Sequence, residues 1–365
     1  MKIKLKTFLF YSLTTFLILY MLSNPYCITY YCKKALQMCY QTVVPSLFVF
    51  TVFSHILAQS AVPNTAGKKT HKYNEFLFGI SKNTFFLCVF GFFSGAIPAG
   101  VGILSLYSEG RISKNEAENA LLLLPGCSAP FILTICRSVL DSPFHALLLL
   151  LSNTLAIITS FFILCKKTQN KPINSTIPHL KMNSYFKIIT QSLEKSAINT
   201  LIICSYVIFF NVISGITIDI VQKFGLKNNT LHTLMFGIFE MTSGIVRASM
   251  FDGNEKIVFI AFMCSFSGIS IIFQLSGICN EKGISVKSFI LSRILCGVLC
   301  PLYMLLLMFI LPYKMTYFTE HTTVFNINKI DCAMMFYSSL AFSVIALLLI
   351  IVCRIDKKHK KNVQK

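Results

Sequence analysis

Charged residues are scarce in this sequence, and acidic residues are the scarcest. Only 13% of the 365 residues are charged, and 33 lysines and arginines face 14 aspartates and glutamates, for a net charge of +19. A soluble domain carries about 25% charged residues, so the composition argues against one. The cations lie in short runs between apolar segments. This pattern is typical of the cytoplasmic loops of membrane proteins and argues against nucleic-acid binding.

Motifs for catalysis and metal binding are also missing. The sequence contains no CxxC, no cysteine and histidine set with zinc spacing, no HExxH, no GxSxG, no phosphate-binding loop and no paired-carboxylate pattern. Many of the 14 cysteines lie inside apolar runs, where a free thiol acts as a small apolar side chain. We therefore expect a protein that is not an enzyme and that binds no metal or cofactor.

Long apolar runs are present instead, and they predict an all-α polytopic membrane protein. Uncharged runs of about 20 residues are long enough to cross a bilayer. Eight crossings are predicted, at about 7–23, 43–62, 120–140, 143–165, 198–221, 256–279, 286–311 and 333–353. No small-x-small cleavage site follows the first run, so we interpret it as a retained span.

Two further apolar segments, 84–107 and 231–250, are rich in glycine and serine. Such broken segments are tolerated at membrane depth only where protein buries them or where they line a cavity. We predict that both are re-entrant hairpins. With that assignment the basic N-terminus, the basic linker and the basic C-terminal tail all face the cytoplasm, as the distribution of cations requires.

The order of these segments suggests an internal repeat with an offset of roughly 150 residues. Each half has a span, a broken segment, an interrupted span and a closing span, although chance similarity between apolar segments would look much the same. Because the first half begins outside and the second inside, the repeat is inverted, as in many secondary transporters. The predicted units are an N-terminal span at 1–26, repeats at 27–165 and 183–311, a cytoplasmic linker at 166–182, and a last span with a basic tail at 312–365.

The broken segments of the first half supply candidate binding residues. Ser94, Gly95, Pro98 and Gly100 belong to a run that would interrupt a helix, and a half-helix starting beyond Pro98 would point N–H groups at an anion. Close helix packing through small residues is the alternative. Ser128 is a candidate N-cap or cavity hydroxyl, with Pro130 in the first helical turn, unless the segment is a simple kink.

The second half supplies charged candidates. Glu240 and Arg247 lie at membrane depth, where charge is costly and so indicates function. Arg247 would bind a carboxylate, and Glu240 would accept a proton or hold backbone N–H groups, unless the two form a structural pair or Arg247 reaches the interface. The other candidates here are Thr242, Ser243, Gly244, Ser267, Gly268 and Gln274. Arg293 lies near the end of its span, and we expect its side chain to extend to the interface.

These segments also carry a family resemblance, which covers about residues 30–310. It rests on Ser94 to Gly100, on 109–118, on Ser128 to Ile132, on Gly237 to Gly244, on Ser265 to Gln274, and on Arg293. The chain resembles the YlbJ-type sporulation integral membrane proteins, which carry two "Gate", or nucleoside-recognition-like, repeats. It departs from that pattern by an extra residue before Pro98, by Gly126-Cys127 where the family has asparagine, and by Ser243 in place of an asparagine.

The resemblance implies a role in sporulation, in which dipicolinic acid moves from the mother cell across the outer forespore membrane. Dipicolinate is a small dianion, which suits helix N-termini, hydroxyl groups and an arginine. A transporter of nucleosides or other small solutes, and a non-transporting scaffold in spore assembly, are the alternatives. The expected partners are this metabolite and the lipid bilayer, with a homo-oligomer possible. We expect a multi-pass protein of the cell membrane or outer forespore membrane with both termini in the cytoplasm.

Overall fold

The computed structural model describes residues 2–59, 78–140, 142–166 and 185–311, and these residues form helices joined by short turns. In the first half the helices are α1 Lys2–Ser23, α2 Pro25–Met38, α3 Val44–Gln59, α4 Lys82–Ser94, α5 Ala96–Ser108, α6 Lys114–Leu122, α7 Ala129–Val139 and α8 Pro143–Leu164. In the second half they are α9 Tyr185–Lys223, α10 Asn229–Phe239, α11 Met241–Ala248, α12 Gly253–Phe266, α13 Gly268–Glu281 and α14 Lys287–Ile310. A wide π-type turn, Cys39–Val43, joins α2 to α3.

Several of these helices are long and apolar enough to cross a membrane. By length and composition these are α8, α9, the α12–α13 pair and α14. Thr7–Ser23 and Pro25–Val43 would make a fifth span if counted as one, but they meet at 98°. The described part of the chain is thus helical throughout, with several apolar helices typical of a multi-pass membrane protein, and eight crossings remain a prediction. The expected span at 333–353, the C-terminal tail and nearly all of the basic linker lie outside the described residues.

Both predicted hairpins fold back on themselves. A methyl group on Gly91 would lie 2.7 Å from Cβ of Ala99, and one on Gly102 would lie 3.0 Å from the side chain of Leu87. Residues this far apart in one straight helix would be separated by more than 10 Å, so α4 and α5 run side by side. In the second hairpin α11 lies against α10, where Gly244 packs on Gly237. Small residues bring the helices together, as expected where burial from water provides no driving force.

The predicted crossing at 120–140 is interrupted, as its run Gly126 to Pro130 indicates, and it is not one continuous helix. The chain forms the 9-residue helix α6 and the 11-residue helix α7, with an irregular segment between them. At 1.5 Å per residue each helix is under about 20 Å long, too short to cross a hydrocarbon layer of about 30 Å. The cause is Pro125, whose ring cannot continue a helix from the residues before it. The predicted span at 256–279 is also interrupted, at Ser267, although α12 and α13 together are long enough to cross.

The two closing helices α8 and α14 pack along each other, and the two opening helices α3 and α9 do the same. The outward face of α14 carries large apolar side chains that are about half exposed, including Leu291, Val298 and Leu302. In a membrane this face would contact lipid tails. The shorter helices α4 to α7 and α10 to α13 are therefore held between long helices, where their broken ends are shielded.

Candidate functional site

Four interruptions of helical structure meet at one cavity. They are Gly95, the segment 123–128, Glu240 and Ser267, and a helix begins directly after each of them. The polar residues that line the cavity are Ser94, Ser128, Glu240, Thr242, Ser270 and Gln274, and all of them are buried. The walls between them are apolar, from Val43 and Leu47 on one side and Ile203 and Val207 on the other. The empty space is about 560 Å³ when the part open to its surroundings is included.

The first interruption turns at Gly95, whose φ of +94° lies in a region open to glycine. The helix α5 begins at Ala96, so the prediction that it starts beyond Pro98 is wrong by at least three residues. Pro98 instead occupies the first turn, where a missing N–H costs little. Gly95 has no side chain to cap the N–H groups of this turn. Gly100 does not line the cavity, because it packs on the side chain of Leu275.

The second interruption is capped by Ser128, as predicted. Its Oγ accepts a hydrogen bond of 3.4 Å from the backbone N–H of Phe131, and Pro130 lies in the first turn of α7. The preceding residues press against the fourth interruption. The Cys127 thiol donates to the carbonyl oxygen of Cys264 at 3.2 Å, and a methyl group on Gly126 would lie 2.8 Å from the carbonyl oxygen of Ser265.

Glu240 forms the third interruption, where its carboxylate caps α11. One oxygen accepts from the N–H of Thr242 at 3.0 Å, and the other accepts from the N–H and the Oγ of Ser243, each at 2.7 Å. The amide of Asn211 donates in turn to Ser243 Oγ. Of the predicted roles for Glu240, the structure supports holding backbone N–H groups. The start of α11 is thus already occupied by an internal anion.

Arg247 lies at the other end of α11 and does not line the cavity. Its guanidinium lies 4.7 Å from the ring centroid of Phe236, a cation–π contact. No ion pair joins Arg247 to Glu240 within the residues that the structure describes. The alternative in which these two residues form a structural pair is therefore not found, and neither is direct contact between Arg247 and this cavity.

The fourth interruption has a left-handed backbone at Ser267 and Gly268, with φ of +76° and +79°. Gly268 lies close to the backbone of Phe239, Glu240 and Met241, so the third and fourth interruptions touch. One and a half turns along α13, Gln274 faces the cavity with only 4% of its surface exposed. Its Oε1 has no hydrogen-bond partner among the described residues. An unpaired buried amide is costly, so this group indicates a missing ligand or water.

Arg293 is fully buried in α14, so the prediction that it extends to the interface is wrong. Its guanidinium donates to the carbonyl oxygen of Ser265 at 3.5 Å, to Ser292 Oγ at 3.2 Å and to Cys296 Sγ at 3.5 Å, while its Nε has no partner. Arg293 therefore lies directly behind the fourth interruption.

One charged side chain lines the cavity, and another lies behind its wall. Glu240 is the only glutamate, aspartate, lysine or arginine among the described residues that line it. The starts of four helices surround that carboxylate, and those of α5 and α13 have no side-chain cap, so they contribute partial positive charge. Arg293 adds a full positive charge one residue layer behind the wall. A ligand in this cavity would contact hydroxyl, amide and backbone donors and a single carboxylate.

The cavity brings together half of the residues predicted from the sequence. Those that line it are Ser94, Gly95, Pro98, Ser128, Glu240, Thr242 and Gln274. The others pack or bond behind it, or lie away from it, and they are Gly100, Pro130, Ser243, Gly244, Arg247, Ser267 and Gly268. Sequence analysis missed Asn211, which is 1% exposed. An amide side chain in the middle of the apolar span 198–221 was the available signal for it.

Comparison with known proteins agrees with the helical, membrane-bound structure. No family model matches the chain, and no solved structure matches it. The sporulation integral membrane protein YlbJ of Bacillus subtilis (strain 168) is 25% identical over 334 residues, which cover 80% of this chain and 81% of that protein. The match runs through most of the chain in a single alignment. The chain is thus similar to a YlbJ-type sporulation integral membrane protein over most of its length, which supports a YlbJ-type assignment.

Proposed function

We propose that the protein is a sporulation membrane transporter that moves dipicolinic acid across the outer forespore membrane from the mother cell. The observation that carries the proposal is the convergence of four helix interruptions on one buried, polar-lined cavity. Paired interrupted helices around a central site are typical of secondary transporters. Nothing resembling an ATP site occurs in the sequence, so a gradient would drive the movement.

The packing of the helices supports an internal repeat. From α3 to α8 and from α9 to α14 the order is the same: a long helix, a hairpin, an interrupted pair and a long helix. The contacts follow this equivalence, since α5 packs on α13 and its counterpart α11 packs on α7. Likewise α6 packs on α14, and α12 packs on α8. Exchanging the halves reproduces the contacts, as expected for a pseudo-twofold axis.

An anionic substrate is supported by the helix N-termini. The α5 and α13 starts have no side-chain cap, so their N–H groups remain available to a carboxylate. Two carboxylates placed in hydrocarbon would otherwise cost many kcal/mol. The Nε2 of Gln274, on α13 beside α5, would donate a further hydrogen bond to a carboxylate.

A second candidate is a neutral solute such as a nucleoside. The observation that favours it is Glu240, whose carboxylate is the sole charged group on the described lining and would repel a dianion. Hydroxyl groups of a neutral ligand would donate to this carboxylate without repulsion. The two candidates therefore predict opposite ligand preferences from one cavity.

Flux into liposomes that contain the purified protein tests the proposal. Terbium ions trapped inside report the arrival of dipicolinate by luminescence, and radiolabelled uridine reports nucleoside flux in parallel vesicles. Faster dipicolinate flux than in protein-free vesicles supports the proposal. Flux of uridine without flux of dipicolinate would mean that the substrate is a nucleoside. If neither compound moves faster than in protein-free vesicles, the result favours a non-transporting scaffold in spore assembly.

The variant Gln274→Leu tests whether this flux passes through the cavity. Replacing the amide by an apolar group of similar size removes a hydrogen bond to a charged ligand, for which we expect a loss of about tenfold or more in flux. Ser205→Ala is the matched control, because Ser205 is exposed on α9 and its hydroxyl donates only to the Leu201 carbonyl. Equal flux in the Gln274→Leu variant and the wild type would place the pathway elsewhere.

A further inference from the structure

The buried charge of Arg293 has no acidic partner among the described residues. No aspartate or glutamate of the described chain lies within ion-pair distance of its guanidinium. Its five N–H donors meet a carbonyl, a hydroxyl and a thiol, and the shortest of these contacts is 3.2 Å. Removing an unpaired charge from water is costly, and apolar residues of equal volume often replace buried charges without loss of stability. A purely structural reason for an arginine here is therefore weak.

The position of Arg293 connects it to the cavity wall. Its Nη1 contacts the carbonyl oxygen of Ser265, and a methyl group on Gly126 would lie 2.8 Å from that same oxygen. Cys127 bonds the neighbouring carbonyl of Cys264. Gly126 and Cys127 themselves line the cavity. One layer of backbone thus separates the guanidinium from the ligand space, and in that low-dielectric setting charge acts across such a layer.

We propose that Arg293 is a specificity-determining residue, whose charge selects an anionic ligand from behind the wall formed by 126–127 and 264–265. This inference rests on the proposed transport function. The positive charge offsets that of Glu240, whose backbone lies against Gly268 of the fourth interruption, and so lowers the repulsion that this carboxylate would exert on an anionic ligand. Arg293 does not contact the ligand, and it acts through the electrostatic potential.

The test compares an anionic and a neutral ligand of the same shape in Arg293→Met and Arg293→Lys. The ligands are dipicolinate, measured by its KM for flux into liposomes, and pyridine-2,6-dicarboxamide, measured as a competitor of that flux. We expect Arg293→Met to raise the KM for dipicolinate about tenfold and to leave the inhibition constant of the diamide within about twofold. We expect Arg293→Lys, which keeps the charge, to stay within about threefold of the wild type for both ligands.

A purely structural role predicts a different result. If Arg293 only held the Ser265 carbonyl, both ligands would weaken together or only the maximal rate would fall, and either outcome overturns the inference. Thermal unfolding in detergent gives a second readout. Unliganded Arg293→Met should unfold no earlier than the wild type, and dipicolinate should raise the midpoint less in the variant. If Arg293→Met does not fold, the structural role is upheld and the inference fails.

The measurement on the wild-type protein distinguishes failure of this inference from failure of the transport function on which it rests. Dipicolinate flux in the wild type with unchanged ligand preference in Arg293→Met would remove only the role of Arg293. Absence of dipicolinate flux in the wild type would overturn both.

Discussion

At Gly126 the two halves of the molecule touch backbone to backbone. A methyl group there would lie 2.5 Å from the carbonyl oxygen of Cys264 and 2.8 Å from that of Ser265. Both obstacles are backbone atoms, which cannot rotate away as a side chain would. We expect Gly126→Ala to destabilise the protein by about 1–3 kcal/mol, the usual cost of overpacking. The free energy of unfolding, measured by titrating the purified protein with a denaturing detergent, reports this change.

The control for this substitution is Gly277→Ala in α13. A methyl group on Gly277 meets no atom within 4 Å, and the residue lies inside a helix, where alanine is preferred by about 0.5–1 kcal/mol. The two glycine-to-alanine changes should thus have opposite signs. Equal effects would mean that the contact between Gly126 and the fourth interruption is absent in the folded protein.

Residue-level signals in the sequence succeed where the cause is local. Gly95 and Pro98 break helices by their own chemistry, so an interruption there is predictable, and Ser128 before Ala129-Pro130 is a local cap signal. Burial of Arg293 is different. Its depth depends on α8 and α12 packing around α14, which no property of residues 286–311 reveals. The same holds for the meeting of Gly126 with Ser265, 139 residues later in the chain.

At the scale of elements, the second hairpin depends on its acidic cap. Glu240→Gln keeps the size of the side chain but replaces one acceptor oxygen by a donor, which faces the N–H or the hydroxyl of Ser243. Loss of hydrogen bonds to a charged group costs about 1.5–3 kcal/mol. We expect the amides of Thr242 and Ser243 to exchange hydrogen at least about tenfold faster, as measured by mass spectrometry on peptides from α11.

Glu255→Gln provides the comparison, since Glu255 is an exposed residue in the first turn of α12. Its exchange profile should match the wild type in α11 and in the rest of the chain. If Glu240→Gln also leaves α11 unchanged, the carboxylate is not what holds the start of this helix. At this scale the sequence predicts that 120–140 is interrupted at Gly126 to Pro130, but it does not give the lengths of the two helices on either side. Hydrophobicity averaged over 20 residues hides a break of a few residues.

At the scale of the whole molecule, contacts between residues that are distant in the sequence bring the ends of the helices together in two sets. Lys114 donates to the Gly283 carbonyl at 2.9 Å, and Glu118 binds Lys166 at 2.5 Å, which brings the start of α6, the end of α8 and the α13–α14 turn together. Elsewhere the hydroxyl of Tyr20 donates to Asp219, which joins the end of α1 to the end of α9. The sequence-based map places the first set in the cytoplasm and the second set outside. The contacts agree with this division, and only the distribution of cations assigns its direction.

A pseudo-twofold axis relates the halves in one of two ways, and topology distinguishes them. An axis in the membrane plane inverts the repeat, so equivalent loops face opposite sides, whereas an axis along the membrane normal leaves them on the same side. The segment 64–72 follows α3, and the turn 224–227 follows the equivalent helix α9. Short epitopes inserted at these two places in the full chain, with a third at Gly283, report their sides by antibody access in intact and permeabilised cells.

Inversion predicts that the epitope at 224–227 is accessible in intact cells, while those at 64–72 and Gly283 require permeabilisation. The physical reason is that α3 and α9 would then cross in opposite directions, and the basic residues Lys68, Lys69 and Lys72 would stay in the cytoplasm. Matching access at 64–72 and 224–227 would instead make the repeat parallel. The uncapped starts of α5 and α13 would then enter the membrane from the same side. A cavity that opens alternately to the two sides of the membrane would then need a motion other than the rocking of two inverted halves.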